Sequence, residues 1–287
     1  MNDTVREFFK FLDVDPDAIA SLEKSKIKNA NSVNPILFNW AIYKPGYPFK
    51  PISIEDIVGH DRRTQGSLVY DLQNYFDRDG DGYYKRSVSL LNINSEELMN
   101  KLVNSFMGDP VHVNEYDENV YGIGSNGLHR FHVIKMHYLT ELLRDPQAER
   151  ELRKKYTFPV KVTSLDFTKS YSSYLINSLY PGRFKINGAY DDRGWERIDK
   201  IEIIEKSGVQ GNNRILSDGE LIDFTCASID NYWKKADEID REIFIDRIRD
   251  SCKYASFRKY YERNLRGYIK AADVEVSNEN SSDKNFG

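Results

Sequence analysis

The sequence predicts an α+β fold, a small mixed sheet with packed helices followed by a mainly helical C-terminal region. Three observations carry the prediction. Alternating apolar–polar runs bounded by Gly, Pro and Asn recur between residues 49 and 162, which is the period of half-buried strands. A glycine-rich segment at 124–127 is followed by apolar residues at helical spacing. From about Gly219 to Lys270 the apolar residues again recur at helical spacing, among many charged ones. With 287 residues and 40% hydrophobic content the chain can bury a core, and its length favours two domains.

The elements follow in order. Residues 1–44 are expected to form an N-terminal helical segment, with helices at Val5 to Leu12 and Pro16 to Ile27, the second capped by Asp15 with Pro16 at its first position. Residues 34 to 48 are rich in Pro, Gly and aromatics and read as an ordered loop or irregular strand. Trp40, Tyr43 and Tyr47 there either pack in a core or wall a base. Phe49 to Val58 reads as a strand and Ile93 to Phe106 as an amphipathic helix capped by Ser95. Pro110 to Tyr116 and Val120 to Ile123 read as a hairpin turning at Asp117-Glu118-Asn119. A helix carrying Phe131, Ile134, Tyr138 and Leu142 on one face follows, widened by Val133, Met136, Leu139 and Leu143, and is expected to be mostly buried. Phe158 to Val162 closes this region. A helix over Ser170 to Leu179 and strands at Phe184 to Ile186 and Lys200 to Glu205 precede the C-terminal helices. The expected divisions are 1–44, 45–165, 166–272 and a disordered polar tail at 273–287.

Composition bounds the function classes. No apolar run is long enough to span a bilayer and no basic-then-apolar leader opens the chain, so a cytoplasmic protein with no membrane partner is expected. Cys226 and Cys252 lie far apart, so unpaired thiols are expected and metal clustering has no support from them. A net charge of −4 argues against general nucleic-acid affinity, which scales with cationic contacts. The stretch Arg258 to Lys270 interleaves basic and aromatic residues. It reads either as a solvated helix with ion pairs or as a local nucleic-acid contact.

The candidate site is Gly124-Ser125-Asn126-Gly127-Leu128-His129-Arg130, between the returning strand and the helix. The first N–H groups of a helix lack internal partners and carry partial positive charge, so a phosphate there meets several donors at once. Ser125 or Asn126 is expected to cap the helix, and Gly127 lets backbone approach a ligand. His129 adds a donor or a proton acceptor and Arg130 a bidentate fork. The alternative is a plain strand-to-helix turn, with His129 satisfying a backbone carbonyl.

The order of helix, strand, turn, strand, glycine-rich loop and helix, with Pro110-Val111-His112-Val113 and Gly127-Leu128-His129-Arg130 at the matching places, resembles the ParB/sulfiredoxin-like superfamily over roughly residues 45 to 165. The resemblance implies a nucleotide-binding fold, with a nucleoside triphosphate and Mg²⁺ as the cofactor. Sulfiredoxins carry a reactive cysteine where this chain has Leu128, so sulfinic-acid reduction is excluded by chemistry. ParB-type proteins usually read Gly-Glu-Arg-Arg in the loop and add a helix-turn-helix domain, neither of which is evident here. The loop is closer to that of free-serine kinases, which also carry a His-Glu pair after the first strand. The counterpart here is His60-Asp61, one methylene shorter in its reach, with Glu55 or Asp56 as substitute bases.

A second motif lies in what the resemblance makes an insertion, roughly residues 63 to 90. Asp77-Arg78-Asp79-Gly80-Asp81-Gly82 matches the first half of a calcium loop, with carboxylates alternating toward a cation and glycine at the sixth position. The second half fails, since Lys85 and Val88 stand at the ninth and twelfth positions. Asp77, Asp79 and Asp81 therefore read either as weak ligands for Ca²⁺ or a nucleotide-escorting Mg²⁺, or as a polar turn.

Two functional expectations result. In the first, a nucleotide-dependent phosphotransferase or NTP hydrolase binds phosphate at Ser125, Asn126, Gly127, His129 and Arg130. His129 then serves a phosphoryl oxygen, and Glu55, Asp56 or Asp61 acts as base or metal ligand. In the second, the same loop senses nucleotide without turnover in a DNA-associated protein. A scaffold without a ligand is the third alternative.

Overall fold

The computed structural model describes residues 26–27, 33–44, 46–60, 66–67, 97, 110–124, 126–190, 196–205 and 212–269. The strands are β1 (Lys26–Ile27), β2 (Phe49–Ser53), β3 (Ile57–His60), β4 (Gly66–Ser67), β5 (His112–Asp117), β6 (Val120–Ile123), β7 (Thr157–Thr163), β8 (Phe184–Tyr190), β9 (Glu196–Glu205) and β10 (Asn212–Ser217). The α-helices are α1 (Pro35–Trp40), α2 (Leu128–Arg144), α3 (Glu149–Lys155), α4 (Phe167–Leu179), α5 (Asp218–Lys235), α6 (Glu238–Ser251) and α7 (Ala255–Asn264). Single 3₁₀ turns stand at Ile54–Asp56 and Pro146–Ala148. The chain divides into two units, residues 1–33 with 46–163, and residues 34–45 with 164–287.

The first unit is built on a mixed five-stranded sheet in the order β2-β7-β5-β6-β3. β2 runs antiparallel to β7, β7 parallel to β5, β5 antiparallel to β6, and β6 parallel to β3. Strict alternation along β7 buries Phe158, Val160 and Val162 and leaves Thr157, Pro159, Lys161 and Thr163 half-buried on the opposite face. Val111, Val113 and Ile123 join the buried set, as do Phe131, Ile134 and Tyr138 from α2. Pro51 is tolerated in β2 because β2 is an edge strand.

The expected single strand Phe49 to Val58 is broken in two. Ser53 Oγ accepts from Glu55 N, and the chain makes a 3₁₀ turn before β3. That turn joins the two opposite edges of the sheet. In a flat sheet those edges would stand about 19 Å apart, four spacings of about 4.8 Å, whereas the four steps from Ser53 to Ile57 reach only about 14 Å. The sheet is therefore curled, with Ile54 and Ile57 fully buried at the closure.

The second unit combines a three-stranded antiparallel sheet, β10-β9-β8, with α1 and α4 to α7. Its larger core gathers Tyr171, Leu175, Ile229, Phe244, Ile248 and Phe257, and a second cluster joins Ile176 and Leu221 to Ile201 and Ile203 of the sheet. α5 starts with a capping box, in which Ser217 and Glu220 satisfy each other's backbone N–H. Both cysteines are free and buried.

Several expectations are corrected. Asn34 caps a short helix that begins at Pro35, where an irregular segment was expected. Lys26 and Ile27 pair with Ser67 and Gly66 as a strand, so these two residues are not part of the helix expected over Pro16 to Ile27. Leu142 is half-buried and Leu143 is exposed, so α2 is less buried at its C-terminus than its composition suggested. Strand β10 was not foreseen. The helices expected at 5–12 and most of 16–27, the run 93–106 apart from helical Glu97, and the tail 273–287 lie outside the described residues.

Candidate functional site at the start of helix α2

The loop after β6 is latched to the start of β5 from both sides. Gly124 N donates to His112 O at 2.8 Å and His112 N donates to Asn126 O at 3.0 Å. Asn126 Nδ2 donates to Pro110 O at 3.0 Å. Asn126 does not cap the helix, as its position suggested, because the N-cap is the next residue. The N-cap is Gly127, left-handed at φ 100°, ψ 5°, with no side-chain cap. Phe131 N closes the first helical turn on Gly127 O at 2.9 Å. The N–H groups of Leu128, His129 and Arg130 precede that first internal bond, so they form the donor end of a 17-residue helix.

The structure thus brings Asn126, Gly127, His129 and Arg130 together on one short segment, with Arg130 half-buried. Ser125, Asp61, Asp77, Asp79 and Asp81 lie outside the described residues. Among the described residues no group of three His, Cys, Asp or Glu side chains is placed to hold a metal ion.

Glu55 and Asp56 sit farther along the helix. Lys135 Nζ donates to Ile54 O at 3.0 Å and Ile57 O at 3.3 Å, which ties the second turn of α2 to the connector carrying the two acids. Leu128 and Lys135 are seven residues apart, about 10 Å along the helix axis. Arg153 of α3 binds both carboxylates, Nη1 to Glu55 and Nη2 to Asp56 at 2.7 and 2.8 Å. Burial lowers the Lys135 pKa to about 8, against the opposing pull of Glu55 and Asp56. Burial raises Tyr138 to about 12, with the charge of Glu55 adding to it.

The residue that the sequence reading passed over is His112. Its backbone is where the loop closes, and its Nε2 lies 2.6 Å from Thr163 Oγ1 on the half-exposed face of the sheet. The Tyr47 ring meets it edge-on at 5.4 Å, and Lys161 Nζ lies 5.0 Å from the Tyr47 centroid. The alternation Val111-His112-Val113 was the available signal, since it turns His112 away from the core beside the loop's anchor.

The basic and aromatic stretch near the C-terminus turns Tyr260 and Tyr261 inward and leaves Tyr268 exposed. Phe257, Tyr260 and Tyr261 are buried, and Tyr260 Oη shares a 2.7 Å hydrogen bond with Ser172 Oγ. Those rings belong to the core of the second unit, while Lys259, Glu262, Arg263 and Arg266 face outward. No described helix is long and apolar enough to cross a membrane. No family model, curated protein or solved structure matches this chain.

Proposed function

We propose that the chain binds the phosphates of a nucleotide at the start of α2. The supporting observation is a helix N-terminus with no side-chain cap, set by a left-handed glycine and fastened to β5 on both sides. The N–H groups of Leu128, His129 and Arg130 supply the cradle and the Arg130 guanidinium the counter-charge. The superfamily reading of the first unit as a ParB/sulfiredoxin-like domain belongs to the same proposal. It rests on the Gly-Leu-His-Arg signature standing between a hairpin and a long helix in a mixed sheet.

Binding without turnover is the reading the described residues favour. Glu55 and Asp56 are engaged by Arg153, and Lys135 ties their connector to the helix about 10 Å beyond its start, which supports binding over turnover. A Mg²⁺ ion fits this reading as an escort of a triphosphate. Turnover would draw its base from Asp61, and His129 would orient the phosphoryl oxygen.

A panel of ATP, GTP, ADP and CTP, with and without Mg²⁺, tests the proposal by thermal shift on the wild type and on Arg130→Ala. A nucleotide at a hundredfold excess over its Kd should stabilise the wild type by about 2.7 kcal/mol, and Arg130→Ala should lose most of that. If no nucleotide shifts the wild type, or the variant responds equally, the proposal fails. Phosphate release from ATP, or phosphoserine formed from ATP and free serine, would replace binding without turnover by the enzymatic reading. A salt-dependent DNA affinity would add a nucleic-acid partner.

A further inference from the structure

The second unit carries a cavity of about 340 Å³ between its sheet and α5, and the register of the sheet determines what lines it. Phe184 pairs with Glu205, Ile186 with Ile203, and Arg214 with Ile203, so all five side chains project from one face. That face also bears Ile201, which is buried in the cluster holding Leu221 of α5. A strand covered on this face would place an apolar residue at 214 and a charge at 215. β10 does the reverse, turning Arg214 toward the cavity lining and leaving Ile215 half-exposed on the other side. On α5 the residues Phe224, Ser228, Asn231 and Lys235 follow helical spacing and all line the cavity. The space therefore grades from an aromatic floor to a cationic rim.

The floor is rigidly built. Phe184 and Phe224 meet edge-to-face with centroids 5.7 Å apart, and Tyr180 packs edge-on against Phe184 at 5.9 Å. At the rim, Arg183 gives Nε and Nη2 to Glu205 Oε1 at 2.8 and 2.6 Å, which neutralises that pair. Arg214 and Lys235 have no ion-pair partner among the described residues. Lys234, their neighbour, is taken by Asp230. Among the described residues the rim thus holds two uncompensated positive charges above an aromatic wall.

We infer that this cavity binds a small organic phosphate carrying a planar ring, with the ring against Phe184 and Phe224 and the dianion between Arg214 and Lys235. Two free cations match a dianion better than a monocarboxylate, and the volume falls in the range of small-molecule sites. The site shares no residue with the loop at Gly127 and does not rest on the nucleotide proposal.

Isothermal titration of the full chain with phenyl phosphate, inorganic phosphate and benzoate tests it. Phenyl phosphate is expected to bind at least tenfold more tightly than either of the others. The double variant Arg214→Gln/Lys235→Gln, both positions being solvent-exposed and compatible with folding, should weaken phenyl phosphate at least tenfold. Arg130→Ala should leave it unchanged. No binding of phenyl phosphate, equal affinity for inorganic phosphate, or an unaffected double variant would overturn the assignment. So would a loss of binding in Arg130→Ala alone, which would move the phosphate site to the loop.

Discussion

Gly127 and Val111 share a space that admits only one side chain: a Cβ on Gly127 would stand 2.8 Å from Val111 Cγ1 and 3.1 Å from Val111 Cα. The strand residue fills the room that a larger N-cap residue would need, and the φ of +100° is one that side chains resist. Gly127→Ala is therefore expected to cost about 2 to 4 kcal/mol, summing backbone strain and the displaced strand. Gly46→Ala is the control. Its φ is +82° but nothing lies within 4 Å, so it should cost only about 1 kcal/mol. Urea unfolding of both variants checks the difference, and equal costs would refute the steric argument.

Lys135 gives the stability a pH dependence. Its folded pKa of about 8 lies below the ordinary 10.5, so between those values the unfolded chain binds more protons than the folded one. Stability contributed by this group therefore rises as pH increases from about 8 to 10.5 and is lowest below 8. The full excursion amounts to about 3 kcal/mol. Measured from pH 7 to 10.5, wild type should gain on Lys135→Met by an amount of that order. The tyrosines and cysteines that titrate in the same window are common to both proteins and cancel. A pH-independent difference would place the amine in water.

Tyr171 is the polar pin of the second unit's core. Its hydroxyl accepts from Asn34 Nδ2 at 3.1 Å and shares a 2.5 Å hydrogen bond with Ser256 Oγ, all three residues being buried. Tyr171→Phe keeps the ring against Phe257 but removes the hydroxyl that Asn34 and Ser256 both bond. A loss of about 1 to 3 kcal/mol is expected in chemical denaturation. Truncating both polar partners as well should recover part of it.

Arg153 makes several hydrogen bonds, yet its side chain is 45% exposed. Exposed ion pairs contribute little, so Arg153→Met should cost under about 1 kcal/mol, and the cost should shrink as salt is raised from 0.05 to about 1 M. A large, salt-insensitive loss would show that the acids need Arg153 to stay folded.

Much of this architecture was legible in the residues. The hairpin turns at Glu118 and Asn119, where Asn119 takes a positive φ of 56°, and β7 keeps the period of two that its sequence shows. The helix after the loop begins where Gly127 is followed by Phe131 and Ile134. Less was legible where long-range pairing decides. Nothing local says that Ser53 interrupts a strand so that two sheet edges can meet, or that Asn126 donates to Pro110 O while Gly127 takes the N-cap. For the same reason the pairing of Glu55 with Arg153 was not foreseen, since Arg153 lies far along the chain. The orientation of Arg214 needed a register, which periodicity cannot supply when the strand itself is unforeseen.

The three-residue turn at Ile54–Asp56 works like the buckle of a strap. It holds the curled sheet shut, and Lys135 is the pin that passes from α2 into the carbonyls of Ile54 and Ile57 at its two ends. Lengthening the turn would slacken the strap and unseat the pin, and the helix released by it is the one whose first turn forms the candidate cradle. The geometry of the loop is thus rented from a segment about seventy residues earlier in the chain, and a lesion at Ile54 or Ile57 would present as a defect in the cradle.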